Sequence, residues 1–143
     1  AGSWPLGAEI DPRPLLVALL RAGAEVALPR MGERRGPPQF LQWQPGDRLT
    51  PDSFGILAPL PTARVLTPAV VFCPLLAFDR RGGRLGQGGG HYDRILRELR
   101  PFGVVAVGLA YAAQELEQVP TGPLDAPLDW VLTEAEAIAC GPL

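Results

Sequence analysis

From Pro74 to Arg94 the chain reads P-L-L-A-F-D-R-R-G-G-R-L-G-Q-G-G-G-H-Y-D-R. Gly82, Gly83, Gly86, Gly88, Gly89 and Gly90 are interleaved there with Arg84, Leu85 and Gln87. The apolar run Val70-Val71-Phe72-Cys73 precedes this stretch, and a helical pattern beginning at His91 follows it. The expectation is a buried strand ending in a glycine-rich loop that empties into a helix N-terminus. Backbone N–H groups and the positive end of a helix dipole then converge on one point, which suits an anion and above all a phosphate. Neither common phosphate fingerprint is present: a Walker loop's Lys-Ser/Thr is missing, and the spacing is not G-x-G-x-x-G. Glycines also serve strained turns, but the arginines, aspartates and tyrosine around them favour a ligand.

Arg84 is a bulky cation among glycines with no packing reason to be there, and its guanidinium could clamp a phosphate bidentately. Arg80 and Arg81 read as solvated turn residues. Asp79, Asp93 and Asp125 stand near strand ends or helix starts. Carboxylates beside a phosphate loop suit Mg²⁺ that keeps part of its water shell. Asp93, in the first turn of its helix, would favour the dipole whether or not it binds metal; Asp79 is the weaker ligand candidate. His91 is the only histidine; it could transfer a proton near neutral pH, stack on a ligand or bond a phosphate. Tyr92 falls on the apolar face of its helix. With only Ser3 and Ser53 as serines, and neither in a nucleophile elbow, Ser-His-Asp catalysis is unsupported. Trp4 and Trp43 could be platforms for a flat ligand, although burial is the simpler account of either.

The elements that must position these groups suggest an α/β layered fold, with a mainly parallel sheet and flanking helices. Asp11 and Pro12 mark a helix start and Gly23 its end, between a strand tail at Ala1–Gly7 and a strand at Glu25–Pro29, giving a right-handed βαβ unit. Short strands are expected near Gln39–Trp43 and Ile56, with a hairpin or flap between Met31 and Ala69. Strand Val70–Pro74, a helix over His91–Arg100, strand Val104–Leu109, a short helix at Ala112–Gln118, a last strand at Asp129–Thr133 and a terminal helix at Glu134–Cys140 complete the pattern. In the helix at His91, Tyr92, Ile95, Leu96 and Leu99 share one face.

At 143 residues the size suits a single domain. A net charge of −2 gives no electrostatic case for nucleic acid or anionic membrane. All 13 basic residues are arginine, so no Schiff-base or phosphate-binding lysine can come from this chain. Cys73 and Cys140 lie far apart and suggest neither a metal site nor a disulfide framework. No apolar run is long enough to span a membrane and no signal peptide opens the sequence, so a cytoplasmic protein is expected.

The Pro74–Arg94 stretch closely resembles the signature of the 5-formyltetrahydrofolate cyclo-ligase family. The likeness continues in Glu9-Ile10-Asp11, Leu28-Pro29-Arg30, Phe54-Gly55-Ile56, Gly108-Leu109-Ala110-Tyr111 with Gln114, Val119-Pro120, and Asp125 with Asp129. The resemblance implies a single domain over residues 1–143, with a fold like that of ribose-phosphate isomerases and CoA transferases. It implies a monomeric ligase that uses ATP and Mg²⁺ to close 5-formyltetrahydrofolate into 5,10-methenyltetrahydrofolate. Arg84, Leu85, Gly86, Gln87, Gly88, Gly89, Gly90, His91 and Tyr92 would line the ATP, with Arg84, His91 and Tyr92 closest to the chemistry. Trp4, Glu9 and the run Gln87, Gly88, Gly89, Gly90 and His91 would contact the folate, and Asp93 and Asp125 would hold Mg²⁺. The chain departs from the family pattern at His91 (often Tyr), Ala58 (often Glu) and Leu124 (His before the aspartate). The resemblance further implies an N-terminal helix whose Lys and Arg reach the ATP phosphates, and the 143 residues are expected to lack it. A non-catalytic folate- or nucleotide-binding relative is the alternative.

Overall fold

The computed structural model describes residues 1–5, 9–32, 38–86, 90–122 and 125–141. The backbone clusters into two compact units, Ala1–Pro68 and Ala69–Leu143. In the first, α1 (Arg13–Arg21) starts one residue later than its sequence suggests. Pro12 is the N-cap, and the Asp11 carboxylate still accepts the Arg13 N–H at 2.9 Å. Gly23 follows the helix with φ 95°, the left-handed turn a glycine permits. β1 (Ala27–Arg30) pairs antiparallel with β2 (Gln39–Gln42), and β3 (Leu49–Pro51) with β4 (Leu57–Pro59) in the hairpin expected of this region. Among the described residues the βαβ unit does not form: those before α1 contain no strand, and the Gly2 N–H bonds the Ala27 carbonyl of β1. Pro5 has no N–H with which to extend a ladder.

The second unit is built on a four-stranded sheet in the order β10-β9-β8-β5. β5 (Val70–Cys73), β8 (Val105–Leu109) and β9 (Trp130–Leu132) run parallel, and β10 (Ala137–Ala139) is an antiparallel edge. Val71, Ala106 and Val131 are fully buried in it. α2 (His91–Leu99) buries Ile95 and Leu96, while Tyr92 and Leu99 pack against the same core, as the periodicity predicts. The α/β class and the mainly parallel sheet are therefore borne out. The terminal helix is not. Thr133 folds the chain back: its Oγ1 accepts the Ala135 and Glu136 N–H groups, and its own N–H bonds the Glu136 carbonyl. After that turn only Ile138 is buried between exposed Ala137 and Ala139, a period of two that makes a strand. The helix expected at Ala112–Gln118 shrinks to a single 3₁₀ turn, Ala112–Gln114.

The glycine stretch is also not one open loop. β6 (Ala77–Phe78) and β7 (Arg84–Leu85) form a small antiparallel hairpin inside it, with Asp79 at its turn. Asp79 Oδ1 accepts the N–H groups of Arg81 and Gly83 at 3.0 and 2.9 Å, and Oδ2 accepts the Val119 N–H at 2.8 Å. A Cβ on Gly83 would lie 2.5 Å from Asp79 Oδ2, so the turn closes only around a glycine. The β3–β4 hairpin repeats this device. Asp52 Oδ1 accepts from Phe54 and Ile56, and Oδ2 from the distant Met31 N–H.

Burial alone would raise the Asp79 carboxyl, but the three N–H donors and the nearby Arg81 charge outweigh it and hold the group below its ordinary 3.8. A depressed folded-state pKa contributes stability above the unfolded value that is lost as the pH falls through the folded one. Asp79→Ala, which strands three N–H groups, should cost about 3 kcal/mol at pH 7. The gap to wild type in urea unfolding should narrow as the pH falls below 3.8; a gap independent of pH would contradict the assignment.

Candidate active site

β7 delivers Arg84 into the interior of the second unit. Its side chain is 5% exposed, contrary to the expectation that nothing packs around it. Nη1 donates to the Pro74 carbonyl at 3.0 Å, and the guanidinium carbon lies 5.7 Å from the centre of the Tyr92 ring. Nη2 stands 3.7 Å from Asp93 Oδ1, within ion-pair reach but beyond a hydrogen bond. Nε is fully buried and has no hydrogen-bond partner. Gly86 accommodates this cation, since a Cβ there would lie 2.9 Å from Nη1. Leu85, by contrast, is exposed.

Gly90 caps α2 in the left-handed region at φ 66°, and the first helical turn carries His91, Tyr92 and Asp93. Its leading N–H groups have no intrahelical acceptor, so they and the dipole favour negative charge at this end. Asp93 Oδ1 also accepts the Ala126 N–H at 2.9 Å, which ties the helix start to the segment carrying Asp125. Asp125 is exposed, and its Oδ2 accepts the Gly122 N–H at 2.7 Å. Arg84, Tyr92 and Asp93 are therefore in one cluster, with His91 beside it in the chain and Asp125 one residue from Ala126. Gln87, Gly88, Gly89 and Leu124 lie outside the described residues.

The first unit holds the other two candidates. Trp4 is half-buried, with the Arg13 guanidinium 4.7 Å over its ring and the Trp43 ring set edge-on at 6.5 Å. Trp43 itself is buried. Glu9 is half-buried in a bend before α1. Two residues of this unit, Arg30 and Asp52, had no role assigned to them from the sequence. Arg30 Nη1 bonds the Thr50 and Pro59 carbonyls and Thr50 Oγ1, and Nη2 bonds the Pro51 carbonyl, so it clasps β1 to the hairpin. Asp52 organises the hairpin turn; the shared spacing Asp-x-x-Gly at Asp52–Gly55 and Asp79–Gly82 was the signal for it.

A buried guanidinium with an orphaned Nε fits an anionic ligand, because an unpaired buried donor is costly. Among the described residues no three His, Cys, Asp or Glu side chains cluster as a metal cage. Asp93 and Asp125, each with one carboxylate oxygen already bonded, fit instead an Mg²⁺ that keeps several waters and is completed by phosphate oxygens. Cys73 takes no part, since burial pushes its thiol up to about 12.

The sequence profile of the 5-formyltetrahydrofolate cyclo-ligase family matches residues 4–134. The chain belongs to that family. It is 36% identical to the Escherichia coli K12 5-formyltetrahydrofolate cyclo-ligase over 133 residues, covering 90% of this chain and 73% of that one. The Haemophilus influenzae cyclo-ligase is 40% identical over 93 residues, 62% of this chain and half the length of that relative. Among solved structures, the 5,10-methenyltetrahydrofolate synthetase of Aquifex aeolicus superposes with a TM-score of 0.77 at 30% identity, over 96% of this chain and 69% of that one. The family is one of enzymes, and the matched residues include the Arg84–Asp93 cluster. No helix among the described residues is long and apolar enough to cross a membrane.

In this cyclo-ligase fold the pairing of Arg84 with Asp93 should be measurable. Asp93→Ala should cost about 3 kcal/mol, since it removes the carboxylate from a buried cation. Asp93→Asn, which still accepts the Ala126 N–H, should cost less. In a double-mutant cycle Arg84→Met with Asp93→Ala should lose less than the sum of the singles by about 1 kcal/mol or more. Strict additivity in urea unfolding would show that the two side chains do not interact.

Proposed function

We propose that the chain catalyses the ATP- and Mg²⁺-dependent conversion of 5-formyltetrahydrofolate to 5,10-methenyltetrahydrofolate, releasing ADP and phosphate. The observation that carries this reading is the incompletely satisfied Arg84 guanidinium beside the start of α2, within the family's signature. The formyl oxygen on N5 attacks the γ-phosphorus, and the bond to the β,γ-bridging oxygen breaks, giving ADP and a phosphorylated imidate. N10 adds to the formyl carbon, and phosphate leaves carrying the former formyl oxygen and the proton that N10 gives up. Phosphorylation turns a poor leaving group into a good one. Catalysis is then largely positioning and charge neutralisation.

In this reading the run from Arg84 through Leu85, Gly86, Gln87, Gly88, Gly89 and Gly90 to His91 and Tyr92 lines the nucleotide. Arg84 supplies fixed positive charge to the phosphates, with the Tyr92 ring face against its guanidinium. The first-turn N–H groups of α2 face the same charge. Trp4, Glu9 and the segment from Gln87 to His91 hold the folate. Asp93 and Asp125 hold the Mg²⁺, which when bound neutralises developing phosphate charge. We take residues 1–143 as one family domain of the ribose-phosphate isomerase/CoA transferase-like kind, acting as a cytoplasmic monomer without nucleic acid or membrane. A binding-only relative is the second reading, favoured by Arg84 being turned inward and by the absence of any lysine.

Mixing the chain with 5-formyltetrahydrofolate, ATP and Mg²⁺ should give the absorbance of 5,10-methenyltetrahydrofolate. Ligand-induced thermal stabilisation without product would support the binding-only reading instead. Asp93→Asn should lower kcat about 100-fold by weakening the hold on the cation that neutralises the reacting phosphates. Asp79→Asn, compared at equal folded fraction, should fall much less; equal losses would refute Asp93 as a ligand to the metal.

A further inference from the structure

We infer that Arg84 guards Asp93 against a free cation, so that the divalent ion enters only after or together with a polyphosphate. This rests on the reading of Asp93 as a metal-ligating carboxylate. Among the described residues Asp93 is the one carboxylate within ion-pair distance of Arg84, at 3.7 Å, and both side chains are largely buried, at 5% and 19% exposure. The guanidinium is left under-satisfied. Among the described residues its one hydrogen-bond acceptor is the Pro74 carbonyl, on Nη1, and Nε is sealed from solvent with none.

Such a group repels a bare divalent cation from the carboxylate it neighbours and attracts oxyanions. Screening is weak at this depth, so the repulsion is not dissipated by salt. A polyphosphate reverses the balance. Its oxygens take the idle N–H donors, spread the guanidinium's positive charge over an anion and release Asp93 to accept a metal. Anion and cation therefore bind with positive coupling, each raising the affinity for the other by the same factor. Arg84 acts here through Asp93, as a positioning residue for the metal in addition to its contact with phosphate.

Two binding measurements test this. In the first, thermal unfolding of the unaltered chain is followed with sodium tripolyphosphate plus EDTA, and separately with MnCl₂. The expected result is stabilisation by the anion alone and none by Mn²⁺ alone; stabilisation by Mn²⁺ alone overturns the proposal. In the second, Mn²⁺ alone is titrated calorimetrically into wild type, Arg84→Gln, Arg84→Lys and Arg84→Gln/Asp93→Asn. Arg84→Gln should bind Mn²⁺ about tenfold or more tighter than wild type, the size of a typical coupling, while Arg84→Lys keeps the exclusion. Unchanged affinity in Arg84→Gln, with Asp93→Asn still impairing turnover, overturns the guarding role and leaves the metal reading standing. A gain that survives Asp93→Asn places the cation elsewhere and overturns both.

Discussion

A buried aspartate that accepts three backbone N–H groups is the constraint from which the second unit's site follows. Asp79 closes the β6–β7 turn through Oδ1 and reaches Val119 through Oδ2. Because that turn is fixed, Gly82 can offer its carbonyl to the Leu128 N–H at 2.8 Å. Two residues before Leu128, the Ala126 N–H bonds Asp93 on α2. The hairpin that carries Arg84 and the helix that carries Asp93 are thus both tied to the segment from Ala126 to Leu128, the hairpin by a main-chain bond and the helix through the Asp93 carboxylate. A side chain did the work because a five-residue turn has too few internal acceptors for its own N–H groups. The same solution at Asp52 places Met31 against the β3–β4 turn, so the device belongs to how this sequence makes hairpins rather than to one site.

Burying Arg84 has a thermodynamic direction. A guanidinium keeps its charge where a lysine would give up its proton, so burial cannot be relieved by deprotonation. The cost must be met by acceptors, and the second unit supplies a carbonyl, a ring face and one carboxylate beyond bonding distance. Compensation that falls short in this way stores a preference for negative charge. In a chain of net charge −2, with arginine as its sole strong base, that preference is local and does not come from an overall basic field.

The sequence was legible wherever one local rule decided the outcome. The continuous apolar runs of β5 and β8 announced buried parallel strands, and the spacing of Tyr92, Ile95, Leu96 and Leu99 announced α2. It misled where a side chain overrode the local pattern. Glu134–Cys140 has helix-forming composition, but Thr133 captures two N–H groups of the next turn and reverses the chain. The glycine stretch concealed a hairpin because its strands are two residues each, too short for any periodicity to register. Residues of the site were picked out by type: Arg84 and Asp93 stood out as charges among glycines. Their mutual contact did not, because it depends on the turn at Asp79, whose importance lies in acceptor atoms that every aspartate has.

The described glycines also divide by task, which alters what the motif means physically. Gly83 is required by the Asp79 carboxylate, Gly82 by a φ of 93° and a Leu128 carbonyl that a Cβ would approach to 2.4 Å, and Gly86 by the Arg84 guanidinium. None of these three needs a ligand to explain it. Gly90 differs: nothing lies within 4 Å of where its Cβ would be, yet it caps α2 at φ 66° and leaves the first turn's N–H groups uncovered by any side chain of its own. The anion-binding role proposed for this unit therefore falls to the helix start and to Arg84. The earlier glycines serve to bring those two together, so a substitution at Gly82 or Gly83 would abolish binding only by first undoing the hairpin.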